Sequence, residues 1–145
     1  MTNKLDKFVE NLRKEIIQKE LKDHNERIVK LFYKHQNWGK PPKEEITIFE
    51  EKRDKKRGYC LGLYLKIKNN IIIKANFITD GCGVMVAVVS QLPVTVTGKS
   101  IKFAKNLNAD NLNDALNGIP PNEIYCIDLT IKTLKSAIIK YKDVK

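Results

Sequence analysis

The chain has 145 residues, a formal net charge of +10, 42% apolar and 30% charged residues, and three cysteines. A chain of this length makes one domain that buries roughly two-thirds of its unfolded surface, so neither disulfides nor a metal is required for stability. No apolar stretch approaches the ~18 residues of a membrane span, so no membrane is expected. The first 15 residues mix acidic with basic side chains, unlike a signal or transit peptide. These features and an odd cysteine count point to a cytoplasmic protein with free thiols or metal ligands rather than a disulfide framework.

In chain order, Leu5, Phe8, Val9, Leu12, Ile16 and Ile17 recur at helical spacing and predict an amphipathic helix over residues 3–21. Residues 25–34 repeat the pattern with Ile28, Val29, Leu31 and Phe32, and Gly39, Pro41 and Pro42 then stop any helix. Residues 46–50, 59–68 and 71–78 are rich in β-branched and aromatic residues, with Asn69-Asn70 as a tight turn between the last two. An antiparallel meander follows, with Leu61, Leu63, Leu65 and Ile67 on one strand face and Cys60, Gly62, Tyr64 and Lys66 on the other. The basic run EKRDKKRG at 51–58 is read as a solvated loop rather than a phosphate-binding patch, so no nucleic-acid partner is expected.

Residues 84–92, VMVAVVSQL, suit a buried helix or a strand, and Pro93 predicts a kink or an end to a helix there. Asp110 or Asn111 signals the start of a short helix that Gly118 to Pro120 stops, and Ile131, Leu134, Ile138 and Tyr141 form the stripe of a last helix over residues 127–141. Cys82 and Cys126 then each stand where an extended segment hands over to a helix. The unpaired amides and partial positive charge of a helix start favour a thiolate, which is the form that attacks and that binds metal. Gly81 and Gly83 allow a sharp turn that leaves the sulfur of Cys82 uncovered. A pair of small buried hydrophobes fits the same spacing.

Several segments together resemble the NifU/IscU family of iron-sulfur cluster assembly scaffolds over residues 26–141. They are ERIVKLFYKHQNWGK, LYLKIKNNIIIKANFITDGCG, TGKSI, ALNGIPPNEIYC and LTIKTLKSAIIKY. The resemblance implies an α+β fold, a three-stranded antiparallel sheet with helices on one face, made by residues 25–145 behind an N-terminal helical extension, residues 1–24. It also implies transient binding of iron or an iron-sulfur cluster, a 2Fe-2S cluster foremost, with zinc as a substitute in the same site. Its partners would be a cysteine desulfurase and acceptor apoproteins, with no substrate turnover and hence no enzyme.

The family's site uses three cysteines and an aspartate, with a histidine sometimes joining. Cys82 and Cys126 carry over from it. An ungapped alignment of residues 63–77 puts the family's first cysteine at Arg57 and its aspartate at Tyr59, and its histidine position holds Tyr125. Cys60 lies three positions beyond Arg57, about 10 Å along an extended strand and of opposite parity. With few thiols in the chain, Cys60 is taken as a ligand of last resort, with Asp80 as an added carboxylate donor.

A four-donor cluster is then completed by a second subunit in a homodimer, a small thiol or a partner. Glu123 stands where the family's chaperone-binding motif carries lysine, so a chaperone is not carried over. His24 and His35 are read as surface residues, since neither has a second donor at helical spacing. A thiol enzyme lacks a base beside Cys82. The alternative to the scaffold is a degenerate homologue acting as a binding or regulatory module without a cluster.

Overall fold

The computed structural model describes residues 4–21, 24–34, 37–81 and 83–144. Its elements run α1 (Lys4–Leu21), α2 (Glu26–Tyr33), β1 (Ile48–Arg53), β2 (Cys60–Lys68), β3 (Ile71–Thr79), α3 (Gly83–Val96), α4 (Ile101–Asn106), α5 (Ala109–Ala115) and α6 (Ile124–Val144). Single 3-10 turns lie at Lys43–Glu45 and Pro121–Glu123. The expected α+β architecture is present: an antiparallel β1-β2-β3 meander packed by helices. Among the described residues, no helix is long and apolar enough to cross a membrane.

Strand alternation sets the two faces. Leu61, Leu63 and Leu65 are fully buried with Phe77 and Ala75 opposite the latter two, and they meet α3 and α6 in one core. On the other face Tyr64 stacks on its cross-strand partner Phe49 at 4.7 Å. Asn69 and Asn70 both take positive φ, 53° and 62°, as a two-residue hairpin turn of the mirror-image type requires. The side chain of Ser136 on α6 donates to Glu50, which pairs with Leu63, so α6 covers the leucine face. That hydrogen bond and neighbouring lysines hold the Glu50 carboxyl below its usual pKa, against the partial burial that opposes ionisation.

The ambiguous run after position 82 is a helix that is buried over most of its surface. Val84, Met85, Ala87, Val88, Val89 and Leu92 are all at most 1% exposed. At ~1.5–3 kcal/mol per large apolar side chain, this burial outweighs the few tenths per residue that valine costs a helix. Of the kink or end expected at Pro93, the end falls three residues later, at Val96. Pro93 sits in the last turn, where only one ladder bond lacks its donor, and Thr97 N–H still reaches the Pro93 carbonyl.

Other boundaries differ from the sequence expectation for local reasons. The start of α5 is capped by Asn108, not Asp110 or Asn111: Asn108 and Asn111 exchange side-chain to backbone hydrogen bonds. α6 begins three residues early, continuing the 3-10 turn that follows Pro120. α4 was not foreseen, since six residues with one buried side chain, Ala104, show no apolar period; its start is capped by Ser100. β1 takes in Lys52 and Arg53 from the predicted loop. α1 forms where expected, but Leu5, Phe8, Val9 and Leu12 are 45–66% exposed, so this part of its apolar stripe is not packed onto the core. The side chains of Ile16 and Ile17 lie outside the described part.

Candidate functional site

The end of the sheet where β3 runs out is built by two glycines. A Cβ on Gly81 would lie 2.6 Å from Met85 Cγ, and one on Gly83 would lie 3.2 Å from the Phe32 ring. Neither glycine has the positive φ that a side chain resists. They also allow close packing of α3 against β3 and α2, at the bend where β3 hands over to α3. Cys82 itself lies outside the described residues, as does His35; α3 starts at the residue after Cys82.

Across this end of the sheet, the turn between β1 and β2 is closed by Asp54. Its carboxylate accepts from Arg57 N–H at 2.7 Å, its carbonyl accepts from Gly58 N–H at 2.8 Å, and its own N–H donates to the Tyr59 carbonyl at 2.7 Å. The closed turn directs Arg57 at the start of α6. The guanidinium Cζ sits 4.2 Å from the centroid of the Tyr125 ring, and Tyr59 packs beside the same ring at 6.1 Å with 30° between planes. Arg57 Nη2 also reaches the Asn122 carbonyl at 3.5 Å.

Arg57, Tyr59 and Tyr125, the three residues that the resemblance set at the family's cysteine, aspartate and histidine positions, thus meet in one stack. Of the three, Arg57 is the one whose chemistry excludes it as a metal donor. A guanidinium stays protonated, offers no lone pair and repels a cation, whereas its attraction to a tyrosine face is worth roughly 0.5–1 kcal/mol at an exposed site.

The described cysteines sit on opposite faces of the sheet. Cys126 is fully buried in the core, one residue beyond Tyr125. It lies inside the first turn of α6 rather than ahead of it, and its carbonyl accepts from the Thr130 hydroxyl at 2.8 Å. Cys60, at the start of β2, lines a shallow groove on the face away from the helices with Glu51, Gly62, Ile78 and Asp80. Its thiol donates to Glu51 Oε1 at 2.7 Å, and its N–H donates to Asp80 Oδ1 at 2.7 Å. Burial first, then the hydrogen bond and charge of Glu51, push the Cys60 thiol up to about 11. Cys60 is accordingly a protonated thiol at neutral pH.

Cys60 and Asp80 are brought together, and both are separated from Cys126. Among the described residues, no three histidine, cysteine or carboxylate side chains converge as a metal-binding group.

Two polar residues beside this region escaped the sequence reading. His24, read as a surface residue, has a side chain only 4% exposed whose Nε2 bonds the Glu123 carboxylate in the turn before α6. The adjoining Asn25 caps α2 through its oxygen, and its amide donates to the carbonyls of Leu116, Asn117 and Gly118. Together they fasten the junction of α1 and α2 to the segment that leads into Tyr125 and Cys126. A histidine with no donor at helical spacing gives no local signal of a partner 99 positions away in the chain.

The described elements define an α+β domain, a three-stranded antiparallel sheet packed by helices. The chain belongs to the NifU-like N-terminal domain family, whose model matches residues 23–145. Among curated relatives, it is 40% identical over 74 residues to the iron-sulfur cluster assembly scaffold protein IscU of Aquifex aeolicus, covering 51% of this chain and 47% of that protein. It is 29% identical over 121 residues to the iron-sulfur cluster assembly enzyme IscU of Drosophila melanogaster, covering 82% and 78%. The chain spans about half the length of the Aquifex relative. A crystal structure of the N-terminal part of a NifU-like protein from Brucella abortus has the same fold, with a TM-score of 0.68 at 14% identity over 83% of this chain and 95% of that one.

Proposed function

We propose that the chain is an iron-sulfur cluster assembly scaffold whose own donors are the thiolates of Cys82 and Cys126. The observation that supports this reading is convergence. Positions 57 and 59 form one stack with position 125, far away in sequence, at the sheet end where Cys126 lies in the first turn of α6. A ligand set of the family would require that meeting of positions, whatever side chains now occupy them.

On this reading the cargo is iron and sulfide, as a 2Fe-2S cluster or as iron alone, and zinc substitutes because thiolates also suit it. A cysteine desulfurase supplies the sulfur and acceptor apoproteins take the product. The chain turns over no substrate of its own, and it works in the cytoplasm. Residues 1–24 are an extension to the scaffold domain of residues 25–145. Two thiolates leave a four-donor cluster incomplete, so a second subunit, a small thiol or a partner provides the rest. Cys60 and Asp80, paired on the opposite face, are a reserve thiol and carboxylate that only a rearranged strand end could bring to the cargo.

A second reading, a binding or regulatory module without a cluster, is favoured by the Arg57 guanidinium at a ligand position and by the complete burial of Cys126. Anaerobic reconstitution with iron and sulfide separates the two. The scaffold reading expects iron and sulfide bound to the full chain with a cluster absorption spectrum, and loss of both in Cys82→Ala and in Cys126→Ala. Iron content unchanged in folded samples of either variant would remove that cysteine from the ligand set. Partner binding that survives the double variant, with no iron bound by the parent chain, would establish the module.

A further inference from the structure

A second feature of the same end of the molecule is electrostatic, and it goes beyond the scaffold reading because it uses no cluster donor. A groove of about 510 Å³ runs between the β1–β2 turn and the first two turns of α6. Its floor is Tyr125 and the buried Leu129. Lys52, Lys55 and Lys56 stand on the strand side, and Lys132 stands on the helix side. All four are exposed, and among the described residues no carboxylate forms an ion pair with them.

The helix contributes by spacing: Tyr125, Asp128 or Leu129, and Lys132 fall at i, i+3 or i+4, and i+7, which is one helix face. The turn contributes because Asp54 closes it internally, with its carboxylate on the Arg57 N–H, so the lysines at 55 and 56 are held outward on a short, fixed loop. What in the sequence resembled a solvated charge run is therefore joined in space by a fourth lysine, 76 positions after Lys56, around a partly apolar floor.

We propose that this groove is the docking site for a short acidic segment of a partner protein, carboxylates meeting the four lysines and one apolar side chain resting on Leu129. Two observations favour a peptide over a nucleic acid. The groove carries carboxylates of its own, Asp54 and Asp128, which interrupt a path for evenly spaced phosphates but fit between spaced acidic side chains. Its aromatic residue is not open for base stacking either, because Arg57 covers one face of Tyr125 and Tyr59 lies beside it. Exposed charges of this kind steer and select partners, so the binding is salt-sensitive.

The test is fluorescence anisotropy of the full chain at low salt with a labelled octapeptide of glutamate and aspartate carrying one central leucine. A single-stranded DNA oligonucleotide of equal charge is measured beside it. Lys56→Glu with Lys132→Glu is expected to weaken peptide binding by at least about tenfold. Lys68→Glu with Lys102→Glu, the same charge change at exposed positions outside the groove, is expected to weaken it less than about threefold. Amide shifts in the unmutated chain should centre on Leu129 and Lys132, a readout that does not depend on any variant folding. Equal losses in the two double variants, tighter binding of the DNA, shifts elsewhere on the surface, or no peptide binding would each overturn the proposal.

Discussion

Replacing Arg57 by cysteine and Tyr59 by aspartate restores the family's donors and removes the contacts that now hold the stack. In the metal-free chain the loss is the guanidinium on Tyr125, roughly 0.5–1 kcal/mol, and the Tyr59–Tyr125 pair, roughly 0.5–1.5 kcal/mol. The turn itself keeps its Asp54 bonds, which involve backbone atoms at 57–59. The sum, about 1–2.5 kcal/mol, corresponds to a fall in Tm of roughly 3–8 °C for a chain of this size. With metal the sign reverses, since binding to the folded state alone adds about 2.7 kcal/mol when the metal stands at 100 times its Kd. Differential scanning calorimetry with and without zinc, and iron and sulfide counts after anaerobic reconstitution, read both halves. A folded double variant that binds no more metal than the parent would refute the assignment of positions 57 and 59 to the site.

Cys60→Ser is expected to leave the iron-to-protein ratio and spectrum unchanged, because its thiol faces Glu51 on the far side of the sheet; a drop in iron would bring the strand end round to the site. The raised Cys60 pKa makes a stability claim with a definite sign. The unfolded thiol ionises near 9.0 and the folded one near 11, so stability falls as pH rises across that window. The parent should therefore lose stability there relative to Cys60→Ser, and parallel pH profiles would reject the shift. Glu51→Gln should speed alkylation of Cys60 near neutral pH, by about tenfold or less because burial, the largest cause, remains; site-resolved mass spectrometry follows it, and an unchanged rate would count against the Glu51 contact. Asn25→Ala should cost about 2 kcal/mol and Asn25→Ser about 1 kcal/mol, since serine keeps the helix cap but not the amide that reaches three carbonyls. Urea midpoints measure the split, and losses under about 0.5 kcal/mol in both variants would dismiss the clamp.

The sheet was legible because its signals are local: leucines alternate through 61, 63 and 65, and paired asparagines take the φ values a tight turn needs. α3 was not, since a run buried over most of its surface has no period to distinguish helix from strand, and only its tertiary surroundings decide. The glycines around Cys82 suggested a turn, but their spacing gave no hint that they also make room for Met85 and Phe32. At the candidate site, the family resemblance pointed to positions 57, 59, 125 and 126, and the fold brings 57, 59 and 125 together. The sequence could not indicate that Arg57 stacks on Tyr125 or that His24 reaches Glu123, because both contacts join residues many tens of positions apart.

The stack also bears on how a buried thiol can serve as a donor. Cys126 has no exposure, so cargo reaches its sulfur only if neighbouring side chains move, and the stack that contains its chain neighbour Tyr125 is the candidate cover. The contacts identified in that cover are weak, about 1–2.5 kcal/mol for the guanidinium and the tyrosine pair together. Thiolate coordination of a metal is stronger by several-fold, about 10–16 kcal/mol for zinc held by a complete thiolate and imidazole set. Even a partial set therefore has enough to displace Arg57 and Tyr125. On these magnitudes we propose that the stack is a closed resting state rather than a bar to loading. Tyr125→Ala should then take up metal faster than the parent chain with unchanged stoichiometry, measured by stopped-flow absorbance with cobalt(II) as the probe. An unchanged rate in a folded variant would mean that the stack does not control access to Cys126.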